Sequence, residues 1–202
     1  MNARDPQVPV LPPGDELSIQ RHDDLFEAAQ IDAVQAFFEE EVRWTYGWRS
    51  VNGVNPLSHW NHDFLKTRKN NQQDQTQRLA ADPALQAVAA LWDTVQRRCL
   101  PGHALLRCYA NAHTYGVEGY PHVDSPAPGQ KTVVIYLNPR WQPDWAGETV
   151  FFNADGDIVH AVLPRPGRAV IFDGSILHAA RGVSRICTAA RVTLMFKAGR
   201  SS

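Results

Sequence analysis

Apolar residues recur every three or four positions in two parts of the N-terminal half, which predicts two amphipathic helices. Asp23 or Asp24 can cap the first helix. Asp82 is a suitable N-cap for the second, with Pro83 at the first helical position, and Pro101 follows its end. The two stripes are Ile31, Val34, Phe38 and Val42, then Leu85, Val88, Trp92 and Val95.

Two segments between the helices lack a clear period. Residues 44–64 are rich in aromatic side chains and interrupted by glycine and proline, so we expect irregular structure there. Residues 66–77 are polar and rich in amide side chains, which predicts an exposed segment.

After residue 102 the pattern changes to short apolar runs separated by turn residues. These runs predict about eight strands, with Asp155-Gly156 as a hairpin turn between two of them. Short strands at this spacing, without helices between them, favour a sandwich, jelly roll or barrel packed against two or three N-terminal helices. The predicted strands cover 103–109, 120–124, 132–138, 148–152, 157–163, 168–172, 176–179 and 190–197.

Length and composition indicate one domain. The chain has 202 residues, so we expect a flexible arm over 1–17 and a single domain over 18–202, with helical support in 18–102 and a β core in 103–198. The net charge of −1 argues against a nucleic-acid or anionic-membrane binder. No apolar run approaches the ~18 residues of a membrane span. The three cysteines form no CxxC pair, and we expect a cytoplasmic protein.

A possible metal-binding pair lies in Tyr120-Pro-His-Val-Asp124. On a strand, residues two apart share a face, so His122 and Asp124 point to the same side. One such pair is weak evidence by itself, and His178 is the candidate third ligand. Two histidines and one carboxylate form the facial triad of non-haem Fe(II) oxygenases, which leaves three metal positions open. In isolation, a hydrogen-bonded histidine at a strand end is the better explanation of His178.

Arg191 is a candidate anion ligand. Strand alternation places Arg191, Thr193 and Met195 on one face. An arginine on an inward face needs a partner, and a carboxylate matches its planar fork. The charges of Fe²⁺, Asp124, a dianionic oxo acid and Arg191 sum to zero. The alternative is a solvated arginine at the rim of the fold.

Between Leu106 and Phe196 the sequence resembles the Fe(II)/2-oxoglutarate-dependent dioxygenases, in particular the prolyl 4-hydroxylase branch. The segments that carry the resemblance follow the family's order. They are Arg107-Cys-Tyr109, Pro121-His-Val-Asp124, Ile135-Tyr-Leu-Asn138, Ala146-Gly-Glu-Thr-Val-Phe151, Leu177-His178 and Arg191-Val-Thr-Leu-Met-Phe196.

The resemblance implies a mainly β protein with a double-stranded β-helix (jelly roll) core. It implies iron on His122, Asp124 and His178, and 2-oxoglutarate on Arg191, with Tyr136 and Tyr109 helping to hold or line the cosubstrate. Either tyrosine could instead be a core aromatic residue.

One feature departs from the family's pattern, because Arg191 follows the distal histidine at a greater distance than the cation does in close relatives. Arg185 is therefore the alternative anchor or a substrate contact. Trp60, Trp141 and Thr193 are further candidates for contacts to substrate or to the binding residues. For the two tryptophans, a place in the core between helices and barrel is the better explanation.

The expected activity is hydroxylation of an aliphatic C–H bond of an amino-acid-type substrate, prolyl first, in a protein or a small molecule. It would consume O₂ and 2-oxoglutarate, form succinate and CO₂, and use ascorbate as a possible reductant. The alternative is a non-oxidative cupin-like isomerase or ligand-binding β-barrel. A second metal on His59 and His62 is disfavoured, because no further ligand completes that pair.

Overall fold

The computed structural model of the protein describes residues 18–50 and 58–200, so the predicted arm over 1–17 lies outside the described residues. Within these ranges there are three helices, α1 to α3, at Ala28–Glu40, Thr76–Ala81 and Gln86–Arg98. The ten strands, β1 to β10, are Ile19–His22, Thr45–Trp48, His59–Asp63, His103–His113, Lys131–Tyr136, Thr149–Phe152, Ile158–Val162, Ala169–Asp173, His178–Ala180 and Arg191–Arg200.

The strands form two antiparallel sheets that face each other in a jelly-roll core. The larger sheet has the order β1-β8-β5-β10-β4-β3-β2, and the smaller has the order β7-β6-β9. β10 lies at the centre of the larger sheet, where it pairs with β4 on one side and β5 on the other. The predicted mainly β fold with N-terminal helices is therefore confirmed.

The central strands of the larger sheet are buried on both faces. Its outer face packs against the helices, where Trp92 of α3 meets Phe196 of β10 edge to face at 5.4 Å between ring centroids. Its inner face packs against the smaller sheet through residues such as Val134, Phe151 and Met195. Both sides of β10 therefore contact apolar layers, which fixes the direction of its side chains. No helix in the described ranges has the length and apolar character needed to cross a bilayer.

Both predicted helices are present, but the first has a different N-terminus. Glu27, not Asp23 or Asp24, begins α1 through a capping box with Gln30. Asp23 instead accepts hydrogen bonds from Arg168 at 2.5 and 3.1 Å, which is a long-range pairing that local sequence cannot reveal. Asp82 caps the turn Pro83–Leu85, which leads directly into α3.

The region 18–102, expected as helical support, also contributes three strands to the larger sheet. β1 pairs with β8, while β2 and β3 extend the sheet beyond β4. The aromatic segment 44–64 is thus partly strand rather than irregular. The segment forms strand because it pairs with the edge of β4, although apolar and polar residues do not alternate along it.

Residues 66–77 are mostly exposed, as expected, but hydrogen bonds anchor the segment to β4. Asn71 donates to the carbonyl of Leu106 at 2.7 Å, and the amide of Gln75 donates to the carbonyl of Leu105. Gln75 is buried, so this segment packs along the start of β4.

In the C-terminal half, seven of the eight predicted strands occur with shifted ends. The hairpin at Asp155-Gly156 joins β6 to β7, with Gly156 at a positive φ of 86°. The exception is 120–124, which contains only an isolated bridge between His122 and His178.

Candidate active site

Three side chains from two segments converge between the sheets. His122 and Asp124 lie on the segment after β4, and His178 begins β9. Their nearest ligand atoms all lie within 4.8 Å of one another. Asp124 Oδ1 is 3.5 Å from His122 Nε2, and Asp124 Oδ2 is 3.4 Å from His178 Nε2. This set of two imidazoles and one carboxylate fits a divalent metal with open positions.

The backbone orients both histidines. The amide of His122 donates to the carbonyl of His178, and the reverse bond is also present, each at 3.0 Å. Nδ1 of His122 lies 2.7 Å from the carbonyl of Tyr120, and Nδ1 of His178 lies 2.9 Å from that of Ile176. A proton on each Nδ1 leaves Nε2 with a lone pair directed at the site, as metal ligation requires.

The charge states also suit a metal. Burial lowers the pKa of His178 to about 3, so its ring is neutral at physiological pH. Burial opposes ionisation of Asp124, but the attraction of Lys197 and of the two histidines outweighs it and holds its pKa well below the ordinary value. Asp124 Oδ2 contacts Lys197 Nζ and accepts from Thr132 Oγ1 at 2.7 Å. A buried, ionised and firmly held carboxylate is therefore available.

Arg191 is buried at the far end of the site. Its Nε donates to the carbonyl of Gly147 at 2.6 Å, and Nη2 donates to Thr149 Oγ1 at 2.9 Å. No carboxylate of the described residues forms an ion pair with it, and burial lowers its pKa. A buried guanidinium with only neutral partners fits the distal carboxylate of 2-oxoglutarate, which would balance its charge.

Gly147 helps to position this arginine. Its φ is +81°, and a Cβ there would lie 3.0 Å from Trp141 and 3.2 Å from the Arg191 side chain. Any other residue would therefore be strained and would displace the arginine. Trp141 packs edge to face on Trp145 and donates to the carbonyl of Ala146, so it supports the wall behind Arg191.

The two tyrosines occupy different positions. Tyr109 lines the cavity, and burial raises the pKa of its phenol. Tyr136 is fully buried behind the wall, with its hydroxyl 2.7 Å from Thr149 Oγ1 and its ring under Arg191. Thr149, which the sequence analysis did not single out, lines the cavity in its place.

A cavity of about 430 Å³ connects these groups. β4 contributes alternate side chains from Arg107 to His113, and β10 contributes those from Arg191 to Lys197, including Thr193. The volume is in the range of small-molecule sites.

Two candidates from the sequence lie away from this cavity. Arg185 is exposed on the loop before β10. Trp60 on β3 packs against Tyr46 at 5.0 Å between ring centroids. Neither is among the described residues that line the cavity.

His59 and His62 do not form a pair. They lie three apart on a strand, so their side chains point to opposite faces of the sheet. Nδ1 of His62 lies 2.9 Å from the carbonyl of Arg43. His59 is buried, stacks on His113 at 4.8 Å between ring centroids, and has its pKa lowered to about 4 by burial.

Comparison with known proteins gives a consistent assignment. Residues 107–196 match the sequence model of the 2OG-Fe(II) oxygenase superfamily. A search of curated proteins finds no match. Solved structures below 25% identity share the fold. A prolyl-4-hydroxylase from Pseudomonas putida is 20% identical with a TM-score of 0.61, covering 92% of this chain and 94% of that one.

Two further structures are similar. A prolyl hydroxylase from Trichoplax adhaerens, solved with a hypoxia inducible factor peptide fragment, is 16% identical with a TM-score of 0.62, covering 90% of this chain and 83% of that one. An oxidoreductase of the 2OG-Fe(II) oxygenase family from Burkholderia pseudomallei is 14% identical with a TM-score of 0.63, covering 91% of this chain and 86% of that one.

Proposed function

Because residues 107–196 match the sequence model of the 2OG-Fe(II) oxygenase superfamily, we propose that the protein hydroxylates an aliphatic C–H bond of an amino-acid-type substrate. The substrate is a prolyl or other side chain, in a peptide or a small molecule, and the coproducts are succinate and CO₂. The observation that carries the proposal is a three-ligand centre in one cavity with a buried arginine that forms no ion pair with a carboxylate of the described residues.

We assign the site residues as follows. His122 and His178 hold the metal through Nε2, and Asp124 does so through its carboxylate. Bound Fe(II) supplies the redox chemistry that couples decarboxylation of 2-oxoglutarate by O₂ to C–H oxidation. Thr132 and Lys197 hold the remaining oxygen of Asp124 and keep the carboxylate in one orientation.

Bound 2-oxoglutarate would occupy the cavity between the metal ligands and Arg191. Arg191 grips the distal carboxylate, and Thr149 and Tyr136 fix the guanidinium from behind. Tyr109 lines the cavity beside the metal ligands, and Thr193 lies next to Arg191 on the same face of β10. These buried side chains exclude water from the reacting atoms, which favours coupled over wasteful turnover.

We further propose that residues 18–202 act as one catalytic domain, since β1 to β3 belong to the same sheet as β4, β5, β8 and β10. The three cysteines are free, which suits the reducing cytoplasm, and ascorbate would serve as reductant.

The test is an anaerobic titration of the protein with Fe(II) and then 2-oxoglutarate. We expect the visible metal-to-ligand charge-transfer band of a chelated oxo acid, followed by its loss and by succinate formation when O₂ is admitted. The His178→Ala variant should give no band. Binding of Fe(II) without the band would reject the proposal and favour the cupin-like alternative. Full turnover with Zn²⁺ would also reject it, because Zn²⁺ has no redox chemistry.

A further inference from the structure

Besides Arg191 and Lys131, which pairs with Asp173 at 2.6 Å, three cationic side chains line the cavity beyond the metal ligands. Lys69, Arg107 and Lys197 form this group, which we call the cationic rim. Arg107 on β4 lies directly opposite Lys197 on β10 in the antiparallel register. Like charges in such a pair destabilise a sheet unless something compensates them. Asp124 is the one carboxylate among the described residues that line the cavity.

Arg107 is the most informative member of the rim. It is 6% exposed, and its Nη1 donates to the carbonyl of Lys69 at 3.3 Å. Its Nε has no hydrogen-bond partner among the described residues. The guanidinium lies 4.7 Å from the ring centroid of Tyr109 and 5.7 Å from that of Trp48. These aromatic faces hold the planar fork in place while leaving its edge available for a bidentate partner.

Lys69 adds a second positive charge beside Arg107. Its Nζ donates to the carbonyls of Arg49 and Ser50, and within the described part of the chain it forms no ion pair. Burial and the nearby charge of Arg107 lower the pKa of Lys69; Asp124 opposes this shift in part, and Lys197 adds to it. The like charges at the rim therefore repel one another in the absence of an anion.

When metal and 2-oxoglutarate are bound, no negative charge remains to compensate this repulsion. Fe²⁺, Asp124, dianionic 2-oxoglutarate and Arg191 already sum to zero. Lys197 contacts Asp124, but the negative charge of Asp124 is already included in that sum. The rim therefore retains a net positive charge. Arg191 and Lys197 are six residues apart on β10, or about 20 Å at ~3.3 Å per residue. One oxo acid held at Arg191 therefore leaves the rim to another anion.

We propose that the cationic rim binds a carboxylate of the substrate, so that the protein acts on a carboxylate-bearing amino-acid-type molecule. This rests on the proposed oxygenase function and specifies its substrate class. Because Lys197 contacts a metal ligand, the bound carboxylate lies close to the metal, and the oxidised carbon is only a few bonds from it. A free amino acid and the terminal or side-chain carboxylate of a peptide share this chemistry.

The test measures binding of matched acids and amides to the Mn(II)·2-oxoglutarate form of the full chain by calorimetry. One arm uses the free L-amino acids, with L-proline against L-prolinamide as the first pair. The other uses acetylated prolyl peptides with a free or an amidated C-terminus. We expect at least one acid to bind about tenfold or more tightly than its amide. The arm in which this occurs identifies the source of the carboxylate.

Variants then assign the preference to the rim. Arg107→Met keeps the aliphatic stem between the aromatic rings and should abolish the preference for acid over amide. Lys69→Met, which removes a less buried cation, should weaken the preference. Arg140→Met removes an exposed arginine elsewhere and should leave it unchanged. Circular dichroism and the affinity for 2-oxoglutarate should match those of the parent protein in all three variants.

The proposal is wrong if no acid in the panel binds more tightly than its amide. It is also wrong if Arg107→Met leaves the preference intact, or if that variant loses 2-oxoglutarate instead. The visible band of the Fe(II)·2-oxoglutarate complex separates the two levels. Without the band in the parent protein, the oxygenase proposal itself has failed. With the band but no preference for acids, only the substrate assignment has failed.

Discussion

Replacing Arg191 with methionine should remove the cosubstrate anchor while keeping an apolar stem in the wall. A hydrogen bond to a charged group contributes about 1.5–3 kcal/mol, so a bidentate carboxylate loses about 3–6 kcal/mol, or about 10²- to 10⁴-fold in affinity. At 100 times Kd, 2-oxoglutarate stabilises the parent protein by about 2.7 kcal/mol, which raises Tm by about 5–11 °C. At the same concentration the variant should gain at most about 2 °C.

The assay is thermal unfolding of the Mn(II)-loaded protein with and without 2-oxoglutarate. Arg185→Met is the matched control, since it removes the alternative anchor, and it should keep the full parental shift. 2-Oxopentanoate, which has the same chain length but no distal carboxylate, should bind the parent and the Arg191 variant equally weakly. An unchanged shift in Arg191→Met would refute the assignment. Loss of the shift in Arg185→Met would move the anchor to the loop.

Three further outcomes are expected. His178→Ala should weaken Mn(II) binding by more than about 100-fold while its circular dichroism spectrum stays unchanged. His160 is exposed, so His160→Ala should bind Mn(II) as the parent protein does, and equal affinities of the two variants would contradict the ligand assignment. Thr149→Val should weaken 2-oxoglutarate about tenfold by calorimetry, because the guanidinium loses its support; parental affinity would make that support unimportant. His59 is neutral when folded to about pH 4, but in the unfolded chain it takes up a proton near its ordinary pKa of 6.5. The unfolding free energy should therefore fall by about 3 kcal/mol from this group as the pH drops from 6.5 to 4, and urea titrations of His59→Gln should lose that part of the slope.

Local sequence patterns were sufficient to predict an element where residues within that element determine it. The stripe of α3 and the hairpin after β6 follow from residues adjacent in the chain, and both occur as predicted. β2 and β3 were missed because aromatic residues and glycines interrupt the alternation. Their pairing depends on β4, which lies some distance along the chain.

The same distinction holds for the candidate site: residues related within one segment could be predicted, and residues brought together by strand pairing could not. His122 and Asp124 are two residues apart, and alternation along β10 placed Arg191 and Thr193 on one face, which lines the cavity in the structure. By contrast, the apposition of Arg107 and Lys197 exists only once β4 and β10 pair, so no local motif indicates it. Thr149 and Thr132 were missed for the same reason.

The backbone bridge between His122 and His178 has a consequence for how the protein acquires its metal. Two reciprocal backbone hydrogen bonds hold these residues side by side, and a carbonyl orients each ring, before any ion arrives. The entropy of ordering the two ligands is therefore lost during folding rather than on metal binding. A rigid, preformed site has little means of rejecting an ion that also accepts nitrogen and oxygen ligands. Zn²⁺ and Cu²⁺ bind such ligands more tightly than Fe²⁺ does. Binding of the correct metal therefore depends on which metals the surroundings supply. Excess Zn²⁺ should displace Fe²⁺ and inhibit turnover.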